Sequence, residues 1–135
     1  MNQVPGIIKT IETAGDISLV GIAAGGELFS ALVIDTPATA AYLQAGKDIL
    51  MVFKETEVAI GKNLAGGLSL RNRFPARITH LEQGRLLSRL ILDFRGFTLQ
   101  AVITTASVRD LKLSVNDEVL GLVKTNEISL TDTFF

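Results

Sequence analysis

The chain contains no cysteine and no tryptophan, and only one histidine, His80. Without cysteine there is no disulfide framework, no thiol nucleophile and no thiolate site for zinc or an iron–sulfur cluster. The lone histidine lies in the alternating segment ARITHLE, where a strand-surface position is the plain reading. No Ser/His/Asp set assembles unless that histidine is forced into it. Neither sign of charge is in excess: 13 Lys and Arg face 14 Asp and Glu, a net charge of −1. Such a chain has no basic field to gather nucleic acid or anionic lipid. Aromatic residues make up only 6%, too few for a platform that stacks single-stranded bases. No HExxH, Asp-x-Asp ladder, Walker or GxGxxG pattern occurs, so a metal cation site and a nucleotide-phosphate loop are both unsupported. The expectation is a protein that is not an enzyme.

Long uninterrupted apolar runs are also scarce. Residues 17–34 carry a single charge, Glu27, and have the length of a membrane span. Gly25-Gly26 near the middle is turn chemistry between two strands instead. The N-terminal sequence MNQVPGIIKTIETAGD lacks a basic start followed by an apolar core, so a cytoplasmic location is expected.

An internal repeat is present. NQVPGIIKTIE at residue 2 aligns with NRFPARITHLE at residue 72, and the offset of 70 holds without a gap to residues 60 and 130. Asn2/Asn72, Pro5/Pro75, Gly26/Gly96, Leu43/Leu113 and Lys54/Lys124 are identical pairs. The boundaries read as unit 1 over 1–62 and unit 2 over 68–132, joined by a glycine-rich spacer, GKNLAGGLS. Units this small are expected to pack on each other or on another chain.

Within each unit the periods are those of strands. In unit 2, residues 78–81, 86–94 and 97–103 are aliphatic and β-branched, with turns at Gln83-Gly84 and Arg95-Gly96. A short helix is predicted in TTASVRDLKL, and in unit 1 in DTPATAAYL with Thr36 as N-cap and Pro37 at its first position. Two further strands follow, 118–124 and 127–130, matched by 48–54 and 57–60. The expected fold is all-β with one short helix per unit: two tandem OB-like five-stranded barrels.

The units differ in their anion-compatible donors. Unit 2 carries Ser69, Arg71 and Asn72 at its start, Thr104, Thr105 and Ser107 at its helix, and Lys124 after its fourth strand. Hydroxyls with one or two cations suit a tetrahedral dianion. In unit 1 the positions of Thr104 and Ser107 hold Ile34 and Pro37, Met1 stands opposite Arg71, and only Lys54 is retained. Each donor also has a plain structural role open to it: Thr104, Thr105 and Ser107 as helix caps, Lys124 as a solvated lysine, Arg71 beside Arg73 as a solvated pair.

The string SLRN (69–72) resembles the SARN opening of the molbindin or Mop family of molybdate-binding domains, also grouped as TOBE domains. AVITTASVRDLKL (101–113) and EVLGLVKTNEISL (118–130) are similar to later segments of that family. Two departures stand out: Leu70 replaces the usual Ala, and Pro75-Ala76 stands where a residue followed by Gly is usual. The resemblance spans 2–60 and 68–130. It implies a tandem (di-Mop) arrangement binding molybdate or tungstate for storage, buffering or sensing. It also implies a homo-oligomer, dimer or trimer, with the oxyanion between subunits. Ser69 and Arg71 would come from one side and Thr104, Ser107 and Lys124 from the other, with Asn72 holding the loop and Lys54 a minor candidate. The alternative it implies is a regulatory or oligomerisation module of a transport ATPase or transcription regulator, with weak or vestigial oxyanion binding.

Overall fold

The computed structural model describes residues 1–134. Unit 1 contributes β1 (Asn2–Ala14), β2 (Ile17–Ala24), β3 (Glu27–Val33), β4 (Asp48–Phe53) and β5 (Ala59–Gly61). Unit 2 contributes β6 (Asn72–Gln83), β7 (Leu87–Phe94), β8 (Phe97–Thr104), α1 (Thr105–Asp110), β9 (Glu118–Val123) and β10 (Ser129–Thr131). Two curled five-stranded antiparallel sheets result, OB-like as expected.

The hairpins form where the turn residues stand. Gly25-Gly26 and Arg95-Gly96 all have positive φ, the two-residue turn that matches strand twist. The apolar run 17–34 is thus the β2–β3 hairpin, and among the described residues no helix is long and apolar enough to cross a membrane. Both long first strands shift register at equivalent points, between Ile8 and Thr10 and between Ile78 and His80. The repeat therefore extends to irregularities in the sheet.

Three expectations need correction. First, the two units exchange their last strands. The sheet orders are β10-β4-β1-β2-β3 and β5-β9-β6-β7-β8. Ser129–Thr131 pairs with β4 of unit 1, and Ala59–Gly61 pairs with β9 of unit 2. Second, the fifth strands are shorter than expected, because Glu55–Glu57 and Thr125–Glu127 are single 3-10 turns. Third, unit 1 has no counterpart of α1. Thr36 does cap, accepting from the Ala38 N–H at 3.2 Å, but residues 36–43 continue as turns. The Thr39 hydroxyl accepts from the Thr36 N–H at 2.8 Å and donates to the Thr36 carbonyl and the Asp35 carboxylate. That local bonding competes with a helical ladder.

One buried cluster runs through both units. Phe29 of unit 1 packs against Phe74 and Phe94 of unit 2, with ring centroids 5.2–6.0 Å apart across the trio. Such tilted pairs add to burial. The repeats fill equivalent core positions differently. Val4 lies opposite Met51, and Phe74 lies opposite Gly121. A Cβ on Gly121 would overlap the Phe74 ring.

Candidate functional site

The loop into β6 carries Ser69 and Arg71, both exposed. Arg73 holds that loop: its Nε donates to the Leu70 carbonyl at 2.8 Å and its Nη2 to the Leu68 carbonyl. Arg73 is therefore a positioning residue rather than half of a solvated pair. From the other side, β9 delivers Lys124, which opens the 3-10 turn Thr125–Glu127. Ser69, Leu70, Arg71, Lys124, Thr125 and Asn126 line one small cleft of about 90 Å³. No carboxylate lines it, and among the described residues Arg71 and Lys124 form no ion pair. Two cations share a small space with no counter-charge, so an anion between them relieves their repulsion.

Thr125 and Asn126 were not among the sequence candidates. The signal was adjacency to Lys124 in an exposed turn, a pattern that many loops share.

The resemblance grouped Lys124 with Thr104 and Ser107. The structure instead places Lys124 with Ser69 and Arg71, and Thr104 and Ser107 line none of this cleft. Those two hydroxyls form a separate pair at the start of α1. Thr104 is the N-cap: its Oγ1 accepts from the Ser107 N–H at 3.1 Å and donates to Ser107 Oγ at 2.9 Å. The capping role is thus filled, yet the Ser107 hydroxyl hydrogen still has no acceptor among the described residues. Thr105 is buried; its hydroxyl donates to the Gly84 carbonyl and pairs with Ser88 Oγ, both at 2.8 Å.

Asn72 belongs to neither group. It is fully buried; its Oδ1 accepts from the Ser30 N–H at 2.7 Å and its Nδ2 donates to the Ser30 carbonyl at 2.9 Å. Asn2 does the same for Gln100, at 2.8 Å each way. Each asparagine satisfies the backbone of the other unit's edge strand, β3 or β8, as a neighbouring strand would. Asn72 is therefore a clamp between units, with both ends of its amide taken by the Ser30 backbone.

The corresponding place on unit 1 has the opposite electrostatics. Lys54 lines a cleft of about 230 Å³ together with Met1, Glu57 and Glu127. Glu55 stands where unit 2 has Thr125, and it pairs with the Met1 ammonium. That hydrogen bond, helped by one from backbone, holds the Glu55 carboxyl below its ordinary value. Lys54 thus sits among carboxylates that discourage an anion.

Residues 68–130 match the model of the TOBE domain. The Molybdenum import ATP-binding protein ModC of Brucella abortus (strain 2308) is 42% identical over 69 residues, which cover 50% of this chain and 19% of that protein. The Molybdenum transport protein ModE of Herbaspirillum seropedicae is 27% identical over 126 residues, covering 91% of this chain and 47% of that protein. The chain thus spans about a fifth and about half, respectively, of these curated relatives. Among solved structures, a crystal form of the cytoplasmic molybdate-binding protein ModG with molybdate bound superposes with a TM-score of 0.88. It is 23% identical and covers 96% of this chain and 94% of its own.

Proposed function

We propose that the chain, whose residues 68–130 match the TOBE domain model, binds molybdate or tungstate in the cleft of unit 2. Ser69, Arg71 and Lys124 supply a hydroxyl and two cations from one chain. Thr104 and Ser107 of a neighbouring copy complete the donor set, so the working form is a homo-oligomer. Capture is an equilibrium with no reaction, as an intracellular store, buffer or sensor requires. The observation that carries this reading is the cleft lined by Arg71 and Lys124 without any carboxylate. Charge-assisted hydrogen bonds to an oxyanion are the strong class of hydrogen bond, and they suit that environment. Selection against sulfate, which has the same shape and charge but is smaller, comes from the size of the cavity.

A second reading is favoured by the relatives. Two of them are named for molybdenum import or transport, and each is longer than the part matched here. In that reading the same binding serves as the ligand-sensing part of a transport ATPase or regulator. Isothermal titration with molybdate, repeated in a large excess of sulfate, tests the binding itself. Heat that survives sulfate is expected. No heat, or heat abolished by sulfate, removes the oxyanion role and leaves a module for protein contacts.

A further inference from the structure

Thr125 lines the unit 2 cleft and has no part in the donor set described above. It opens the 3-10 turn that follows Lys124, and Glu55 opens the matching turn after Lys54. The two turns start from the same backbone: Lys54 has φ −77° and ψ 150°, and Lys124 has φ −70° and ψ 149°. The chain thus delivers the next residue to equivalent places in both units, and only the side chain differs.

Thr125 lines the cleft of about 90 Å³ with Ser69, Arg71 and Lys124, and it also lines a neighbouring groove of about 530 Å³. Arg71 is the other residue common to the two cavities. Thr125 and Arg71 therefore stand between the cleft and a groove that holds Glu12. The threonine is half-buried, and no hydrogen bond among the described residues engages its hydroxyl. A hydroxyl placed there, beside two cations and no carboxylate, has its hydrogen free for an acceptor. Asn126 differs on both counts: it is exposed, and it lines the Lys54 cleft as well as this one.

In unit 1 the same place puts a carboxylate directly after the lysine. Glu57 and Glu127 also line the Lys54 cleft, and neither lines the cleft of Arg71 and Lys124. A carboxylate offsets the lysine charge and repels an incoming dianion. A hydroxyl in that position adds a donor and leaves the lysine charge uncompensated.

We infer that Thr125 is a further oxyanion-binding residue. Its hydroxyl donates to the anion held by Arg71 and Lys124, and threonine rather than glutamate at this place decides which lysine-ended strand serves as a binding site. The assignment rests on the oxyanion reading of the cleft and adds to it a donor and a determinant of which unit binds.

Molybdate titration of the whole chain tests it with four variants, each checked by its unfolding midpoint. Thr125→Val keeps the size and removes the hydroxyl, Thr125→Ser keeps the hydroxyl, Thr125→Glu copies unit 1, and Asn126→Ala removes the neighbouring amide. No hydrogen bond of the fold is lost in the Thr125 variants, so their midpoints are expected to stay near wild type. Thr125→Val is expected to bind about tenfold or more weakly, through loss of a hydrogen bond to a charged group. Thr125→Ser and Asn126→Ala are expected to stay within about threefold of wild type. Thr125→Glu is expected to fall at least about tenfold below Thr125→Val. The contrast between valine and serine at equal stability is one that a purely structural role does not produce. A wild type that binds molybdate while Thr125→Val binds equally well, or Thr125→Ser falling as far as Thr125→Val, overturns the hydroxyl donor. Binding by Thr125→Glu as strong as by Thr125→Val overturns the position as the determinant between units. A wild type that gives no heat with molybdate overturns the oxyanion reading itself, and the role of Thr125 with it.

Discussion

Two copies of one scaffold lie side by side in this chain, and they differ where they meet solvent. Both have the same hairpins, the same register shift and the same asparagine clamp on the neighbour's edge strand. Unit 2 adds Ser69, Arg71, Thr104 and Ser107, and places Thr125 where unit 1 has Glu55. Unit 1 puts isoleucine and leucine at positions that are threonine and arginine in unit 2. The lesson is that shared backbone geometry fixes little about ligand chemistry. A few exposed positions decide whether a lysine at the end of a strand faces cations or carboxylates.

The largest expected effect separates the two lysine clefts. Arg71→Ala weakens molybdate binding well over tenfold, about 1.5–3 kcal/mol for a lost charged hydrogen-bond partner, whereas Lys54→Ala changes it less than about twofold. Titration calorimetry reads both, and equal losses would erase the difference between the units. Next comes the core. Gly121→Ala forces the Phe74 ring to move within the Phe29–Phe94 trio and lowers stability by about 1–3 kcal/mol in denaturant unfolding. Met51→Ala, at the equivalent position of unit 1, lowers stability for the opposite reason, a cavity beside Val4.

The clamps sharpen the comparison from the side of likeness. Asn2→Ala and Asn72→Ala each leave an edge-strand N–H and carbonyl unpaired, at about 1–2 kcal/mol, and the two losses are expected to match. A clear inequality in their urea midpoints would show that the units are not equivalent scaffolds. The smallest effect concerns pH. Lys62 Nζ lies 3.0 Å from the Asp117 carboxylate, and that hydrogen bond, followed by one from the Ser114 N–H, holds the Asp117 carboxyl below its ordinary value of 3.8. A lowered carboxyl value stabilises the fold above the unfolded value and loses that contribution as pH falls through the folded one. Lys62→Ala is expected to lower the unfolding midpoint slightly at neutral pH, where that contribution is present, and to converge with wild type as pH falls below the folded value of Asp117.

Much of the fold was legible in the sequence because it rests on local rules. Alternation marked the strands, and Gly25-Gly26 and Arg95-Gly96 marked the hairpins. The exchange of β5 and β10 was not legible. Those segments are equivalent by the repeat, so each matches the other unit's edge as well as its own, and local pattern cannot choose between them. The missing helix in unit 1 was hidden by correct signals: Thr36 caps as expected, but Thr39 then bonds the same backbone. Of the site, residue types pointed to an anion, while the grouping of Lys124 with Arg71 depended on long-range pairing of β6 with β9. Asn72 looked like a polar donor beside Arg71; only its burial against Ser30 assigned it to the scaffold.

The central claim is that one unit of the two carries the ligand chemistry. The stoichiometry of molybdate per chain, measured by titration in excess sulfate, tests it most directly. One molybdate per chain, lost on Arg71→Ala and kept on Lys54→Ala, is the predicted result. Two per chain, or one that survives Arg71→Ala and disappears with Lys54→Ala, would contradict it.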